Sequence, residues 1–135
     1  MSYLYDKGRE KFLTGAISWS SDTIKAILVD TGLYTPAQAT DEFVSDIPSG
    51  ARVATLASGM ASKTTAAGVA DAADITFPAV TGASCEAIVL FKDTGVAGTS
   101  PLICYIDSAV GLPVTPSGAD IGITWDNGSN KIFRL

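Results

Sequence analysis

From residue 23 onward the apolar residues of this chain recur at every second position in short runs, and Gly, Pro, Asn and Asp separate the runs. A period of two puts alternate side chains on opposite faces, which is the signature of strands and is incompatible with a helix. Thr23–Asp30 carries Ile24, Ala26 and Leu28 on one face and Lys25, Ile27 and Val29 on the other. Both faces are largely apolar, so this strand is expected to be central. Ser84–Lys92 sets Cys85, Ala87, Val89 and Phe91 against Glu86, Ile88, Leu90 and Lys92, and Leu102–Asp107 is expected to pair with it. Ile121–Trp125 alternates Ile121, Ile123 and Trp125 with Gly122 and Thr124. An Asn-Gly turn within Asp126–Asn130 then leads into Lys131–Leu135, because both turn residues tolerate positive φ.

Weaker runs at Arg52–Ser58 and Thr64–Ala70 are short of bulky side chains, and Pro78 places the end of Asp74–Val80 at a sheet edge. Between Pro36 and Pro48 the spacing allows a short helical turn around Asp41–Asp46. A helical period occurs once, over about residues 3–14. There Leu4, Tyr5, Gly8 and Phe12 share one arc, Asp6, Arg9 and Glu10 lie opposite, and Gly15 stands at the C-cap position. About eight short strands with one N-terminal helix make an all-β chain. A β-sandwich or jelly-roll-like single domain over residues 1–135 is the natural packing, the helix covering an edge or an end. A chain of 135 residues is long enough for one core without staples.

Charge narrows the function. The net charge is −5, and the densest basic stretch, Lys7, Arg9 and Lys11, is interleaved with Asp6 and Glu10. Nucleic-acid binding calls for a concentrated positive face, which is missing. The first ten residues are charged where a signal peptide is apolar, and the longest strong apolar run, Ala87–Phe91, is far too short to cross a bilayer. Synthesis and folding in a cytoplasm are expected, with no membrane partner.

If Lys92 faces Pro101 across the hairpin, Cys104 lies opposite Val89, four residues from Cys85 and roughly 13 Å away at strand spacing. A disulfide needs Cα atoms within about 7 Å, so two reduced, buried thiols are expected. The chain has no histidine, which removes the commonest metal ligand and general base and makes a Ser-His-Asp triad impossible within it.

Asp-Thr-Gly occurs twice, at Asp30-Thr31-Gly32 and Asp93-Thr94-Gly95, and looks like the active-site segment of an aspartic protease. That chemistry needs two carboxylates about 3 Å apart sharing a proton. The context disagrees: the motifs are close in sequence, Leu33 and Val96 follow them where a small residue is usual, and Lys92 precedes the second. Strand ends turning through Asp and Gly explain both copies. Gly95–Ser100 lacks the lysine of a phosphate-binding loop and joins two strands, so a hairpin loop is expected. Neither Asp71 with Asp74 nor Asp126 with Asn127 and Asn130 matches the spacing of a calcium loop, and no structural metal or cofactor is expected. Asp41 and Glu42 are adjacent and point different ways, which gives no glycosidase pair. Trp19, Trp125 and the four tyrosines could form a sugar-binding surface, but core packing accounts for them.

Taken whole, the chain resembles a group of small structural proteins of tailed bacteriophages. The resemblance runs from Tyr5-Asp6-Lys7-Gly8 through Ser21–Asp30, Phe43–Pro48, Ala51–Ala54 and Ala79–Gly82 to Leu90–Gly95 and Ser100–Ile103. It closes with Gly111–Pro116, Thr124–Gly128 and Lys131–Leu135. The resemblance implies a non-enzymatic virion component, foremost a capsid cement or decoration protein that binds major capsid subunits and stabilises the assembled head by linkage. Dimers or trimers follow from capsid symmetry. The alternatives it leaves are a tail, neck or fibre component, a host-glycan-binding module, and an aspartic-type protease using Asp30 and Asp93.

Overall fold

The computed structural model describes residues 2–135. Among them are one helix, α1 (Asp6–Leu13), and ten strands. The strands are β1 (Tyr3–Leu4), β2 (Ile24–Val29), β3 (Arg52–Thr55), β4 (Thr64–Ala66), β5 (Val69–Asp71), β6 (Ile75–Phe77), β7 (Ala87–Lys92), β8 (Leu102–Ile106), β9 (Ile121–Ile123) and β10 (Phe133–Arg134). They form three antiparallel sheets, a five-stranded one in the order β1-β8-β7-β2-β3, a three-stranded β10-β5-β4, and the pair β6-β9. The chain is therefore mostly β with one short helix, as its periodicity implies.

Strand β2 is central and apolar on both faces. Ile24, Ala26 and Leu28 join a core shared with Ile88, Leu90, Phe77, Ile123 and Phe133, so the two small sheets cover this face. Ile27 and Val29 join Val89, Phe91 and Leu102 on the opposite face, beneath Tyr34, Val44, Ile47 and Ala51 from the connection between β2 and β3. Short 3-10 turns at Val44–Asp46 and Ser49–Ala51 shape that cover. Asp46 fixes the first turn by accepting the N–H groups of Glu42 and Phe43 at 2.8 and 2.9 Å.

Four details depart from the sequence reading. First, the helix begins at Asp6. Tyr3 and Leu4 pair instead with Tyr105 and Cys104, and the Tyr3 ring stacks on Tyr105 at 5.4 Å. Tertiary pairing overrides the helical period in that first turn. Helix α1 ends as expected, with the Ala16 N–H reaching back to the Lys11 carbonyl beyond Gly15. Second, Thr64–Ala70 is not one strand. Ala67 and Gly68 turn it at φ +53° and +76°, making the hairpin β4–β5 and raising the strand count to ten.

Third, Cys104 faces Leu90 and not Val89. The register slips between Leu90 and Phe91, leaving Ile103 as an extra residue on β8, so Ile103 and Cys104 enter the same core. Fourth, the alternation of β7 breaks before Ala87. Cys85 exchanges two backbone hydrogen bonds with Val114 and turns to the core shared with Ile88, away from Ala87 and Val89. Both thiols are buried and free.

Candidate protein-contact site

Helix α1 lies over β8, and its Gly8 is what lets it come so close: a Cβ there would stand 2.6 Å from the Leu102 carbonyl oxygen. Beyond Gly8 the helix reaches β10. Phe12 meets the Phe133 ring at 5.9 Å, and Trp19 stands edge-on to Phe133 at 5.2 Å. Strand β10 runs antiparallel to β5 and leaves its other edge unpaired. Alternation along β10 turns Phe133 inward and Arg134 outward.

Between the last turn of α1 and β10 lies a groove of about 330 Å³ lined by Arg9, Phe12, Leu13, Arg134 and Leu135. Its walls include two of the large apolar side chains most open to solvent, Leu13 at 88% and Leu135 at 61%. A neighbouring hollow of about 290 Å³ shares Arg9 and Arg134 and runs on toward Tyr3 and Ile132, between the free edges of β1 and β10.

The chain's other cations are engaged internally. Lys7, Lys11, Lys25, Lys92 and Lys131 pair with Glu10, Glu42, Asp93, Asp22 and Asp71. The Lys63 ammonium donates to the Asp22 carbonyl, and Arg52 donates to the Ile47 carbonyl. Among the described residues, Arg9 and Arg134 are the two cations with no such partner, and both line the same groove. Arginine is enriched at protein-contact surfaces and among the residues that dominate binding there, and the exposed leucines add apolar area beside it.

The residues singled out by motif lie elsewhere. Asp30 follows β2 at the end where Val29 faces Ala87, and Asp93 follows β7 at the end where Lys92 faces Ile24. The two carboxylates therefore stand at opposite ends of one strand pair, about 17 Å apart or more at strand spacing. This rules out the shared-proton dyad of Asp30 and Asp93 within one chain. Each aspartate instead accepts the N–H of the glycine two residues on, Gly32 at 2.8 Å and Gly95 at 2.9 Å. The side-chain hydrogen bond from Lys25, followed by that from the Gly95 N–H, holds the Asp93 carboxyl below the usual carboxylate range. Thr31 gives both its N–H and its hydroxyl to Glu86.

Asp71 faces Lys131, while Asp74 accepts the Trp125 N–H and Asp126 that of Gly128, so the calcium candidates do not converge. Asp41 turns to Tyr34 and Glu42 to Lys11, in different directions. Gly95–Ser100 is a hairpin loop between β7 and β8 with a single 3-10 turn at Ala97–Thr99. Trp19 and Trp125 are buried, their indole N–H groups bonded to the carbonyls of Asp71 and Ala73. Tyr5, Tyr34 and Tyr105 are buried too, so these aromatics form no exposed sugar platform. Among the described residues no helix is long and apolar enough to cross a membrane.

The groove itself was not legible beforehand. Arg9 and Arg134 are far apart in sequence, and only the packing of Phe12 on Phe133 brings them to one surface. The apolar-basic ending Phe133-Arg134-Leu135 was the available signal. Comparison with protein-family models and with curated proteins finds no match to the chain.

Proposed function

We propose that this chain is a structural protein of a tailed-phage virion, most specifically a capsid cement or decoration protein that acts by binding other protein subunits. The observation that carries the reading is the groove between α1 and β10, where exposed leucines adjoin the two unpartnered arginines. The landmark segments from Tyr5-Asp6-Lys7-Gly8 to Lys131–Leu135, which resemble small phage structural proteins, point the same way. In this reading the fold is a β-sandwich of jelly-roll type, the five-stranded sheet forming one layer and the two small sheets the other.

Such a protein works by linkage. A ligand that binds the assembled lattice and not its separated subunits stabilises the lattice by the free energy of that binding. No chemical step is needed, and the protein's task is to present a rigid adhesive surface. A sheet with a buried apolar core on each face supplies that rigidity.

The test is the copy number of the protein in separated heads and tails of its parent virion. Near-stoichiometric amounts on heads, relative to the major capsid protein, are expected. A low copy number travelling with tails would move the protein to the tail, neck or fibre, and absence from both fractions would overturn the virion reading.

A further inference from the structure

We propose that Asn127 is a site of spontaneous deamidation, and that the Asp126 carboxylate beside it holds the rate down. The inference stands apart from the virion reading and rests on the connection between β9 and β10.

The chain has two asparagines, Asn127 and Asn130, and both lie exposed in that connection. Gly128 follows the first and Lys131 the second. Positive φ falls on Lys131, at +48°, and on neither residue of the Asn-Gly pair. Glycine serves a different need here. A Cβ at position 128 would stand 3.0 Å from Asp126 Oδ2, so the bare α-carbon makes room for that carboxylate. It also leaves the Gly128 nitrogen unshielded from the Asn127 side chain. Among the described residues the Asn127 amide has no hydrogen-bond partner to hold it away.

In the reaction the Gly128 nitrogen loses its proton and bonds to Cγ of Asn127. The bond from Cγ to the side-chain nitrogen breaks, and that nitrogen leaves as ammonia. Water then opens the resulting succinimide. Opening at Cγ gives aspartate, and opening at the main-chain carbonyl of residue 127 gives isoaspartate, with the backbone rerouted through the side chain. One water is taken up and one ammonia released, and no oxidant or reductant is needed.

Asp126 opposes the first step. The Gly128 N–H donates to Asp126 Oδ1 at 3.0 Å, a bond the attack must break, and the negative charge disfavours the amide anion that attacks. Asn130 provides an internal comparison. Lys131 places a side chain beside the nitrogen that would attack there, and its N–H is bound to the Gly128 carbonyl. Conversion at Asn127 adds a carboxylate to the segment that leads into β10 and its groove.

Peptide mapping of the full chain, aged in mildly alkaline buffer in which circular dichroism stays native, tests the proposal. An isoaspartyl methyltransferase with a labelled methyl donor counts the isoaspartate. Conversion is expected at Asn127 ahead of Asn130, with ammonia released in equal amount. Asp126→Ala should speed it about three- to tenfold and Gly128→Ala should slow it at least about tenfold. The gain from Asp126→Ala should shrink in urea, where the bond to Gly128 is lost. No conversion at Asn127, conversion at Asn130 first, or either variant converting at the wild-type rate would overturn the proposal. So would a gain from Asp126→Ala that persists undiminished in urea. None of these outcomes bears on copy number in heads and tails, which decides the virion reading.

Discussion

The Tyr5 hydroxyl donates to the Tyr34 oxygen at 2.8 Å inside the core beneath the connection between β2 and β3. The direction follows because Tyr34 spends its only proton on Asp41 Oδ2 at 2.6 Å. The relay ties the residue before α1 to the loop that covers the sheet, and it ends on a carboxylate that also holds the Ala37 N–H.

The relay is directional, so its two ends should respond differently. Tyr34→Phe leaves the Tyr5 hydroxyl buried with no acceptor and should cost about 1–3 kcal/mol. Tyr5→Phe leaves the Tyr34–Asp41 bond in place and should cost less, about 0.5–1.5 kcal/mol. Urea unfolding of both variants and of the double variant checks this, and the double should lose less than the sum of the singles.

Alkaline pH should unfold the protein early. Burial, then the hydrogen bond to Tyr34, pushes the Tyr5 phenol far up, and burial pushes the Cys85 thiol to about 11. A folded-state value above the unfolded one means stability that is complete at low pH and lost as pH rises. For Cys85 the loss begins near the unfolded value of about 8.5, and for Tyr5 near about 10. Unfolding free energy measured from neutral pH to pH 11 should fall steadily. Both thiols should also resist a thiol reagent until denaturant is added.

Asp93 acts in the opposite direction. Its carboxyl is held low by Lys25 and the Gly95 N–H, so its contribution is complete above the unfolded value of about 3.9 and disappears as pH falls below it. Asp93 is about a quarter exposed, which limits the effect to about 0.5–1 kcal/mol. Comparison of acid unfolding in the wild type and in Asp93→Asn should show the difference narrowing below that pH.

Alanine normally favours a helix over glycine by about 1 kcal/mol, yet Gly8→Ala should destabilise this protein. The new methyl would meet the Leu102 carbonyl at 2.6 Å, and backbone on β8 cannot move aside cheaply. A loss of about 1–3 kcal/mol in thermal or denaturant unfolding is expected. An unchanged midpoint would mean that α1 is not seated on β8 as described.

The β4–β5 turn should tolerate improvement. Ala67 adopts φ +53° ahead of Gly68 at +76°, and an ordinary side chain in that region costs about 1–2 kcal/mol. Ala67→Asn creates the favoured Asn-Gly pair and should raise stability by about 1 kcal/mol, read as a higher melting temperature. Ala67→Val should lower it.

That same turn shows where sequence reading stops. Alternation marked β2, β7 and β9, and the expected pairing with β7 marked β8, because these stretches carry bulky apolar side chains. Thr64–Ala70 read as one strand because alanine at position 67 gives no sign of positive φ. Leu4 and Tyr5 lay on the same helical arc as Gly8, but pairing of Tyr3 with Tyr105 decides their conformation, and that contact has no local trace. The bulge at Ile103 was hidden in an unbroken apolar run, so the partner of Cys104 was placed one residue off. The Asp-Thr-Gly copies were readable as turns but not as turns at opposite ends of one ladder. The groove was the least legible feature, since it depends on residues brought together from both ends of the sequence.

The pairing of β1 with β8 also sets an order of events during synthesis. Tyr3 leaves the ribosome first among the residues of the large sheet, but its partner, Tyr105, is made much later. Until then the nascent chain carries Tyr3 and Leu4 with no strand to join, and α1 with no β8 to lie on. Contacts so distant along the chain also slow folding from a denatured state, because a long loop must close before they form. Maturation of the large sheet at its β1 edge therefore waits for the C-terminal third of the chain.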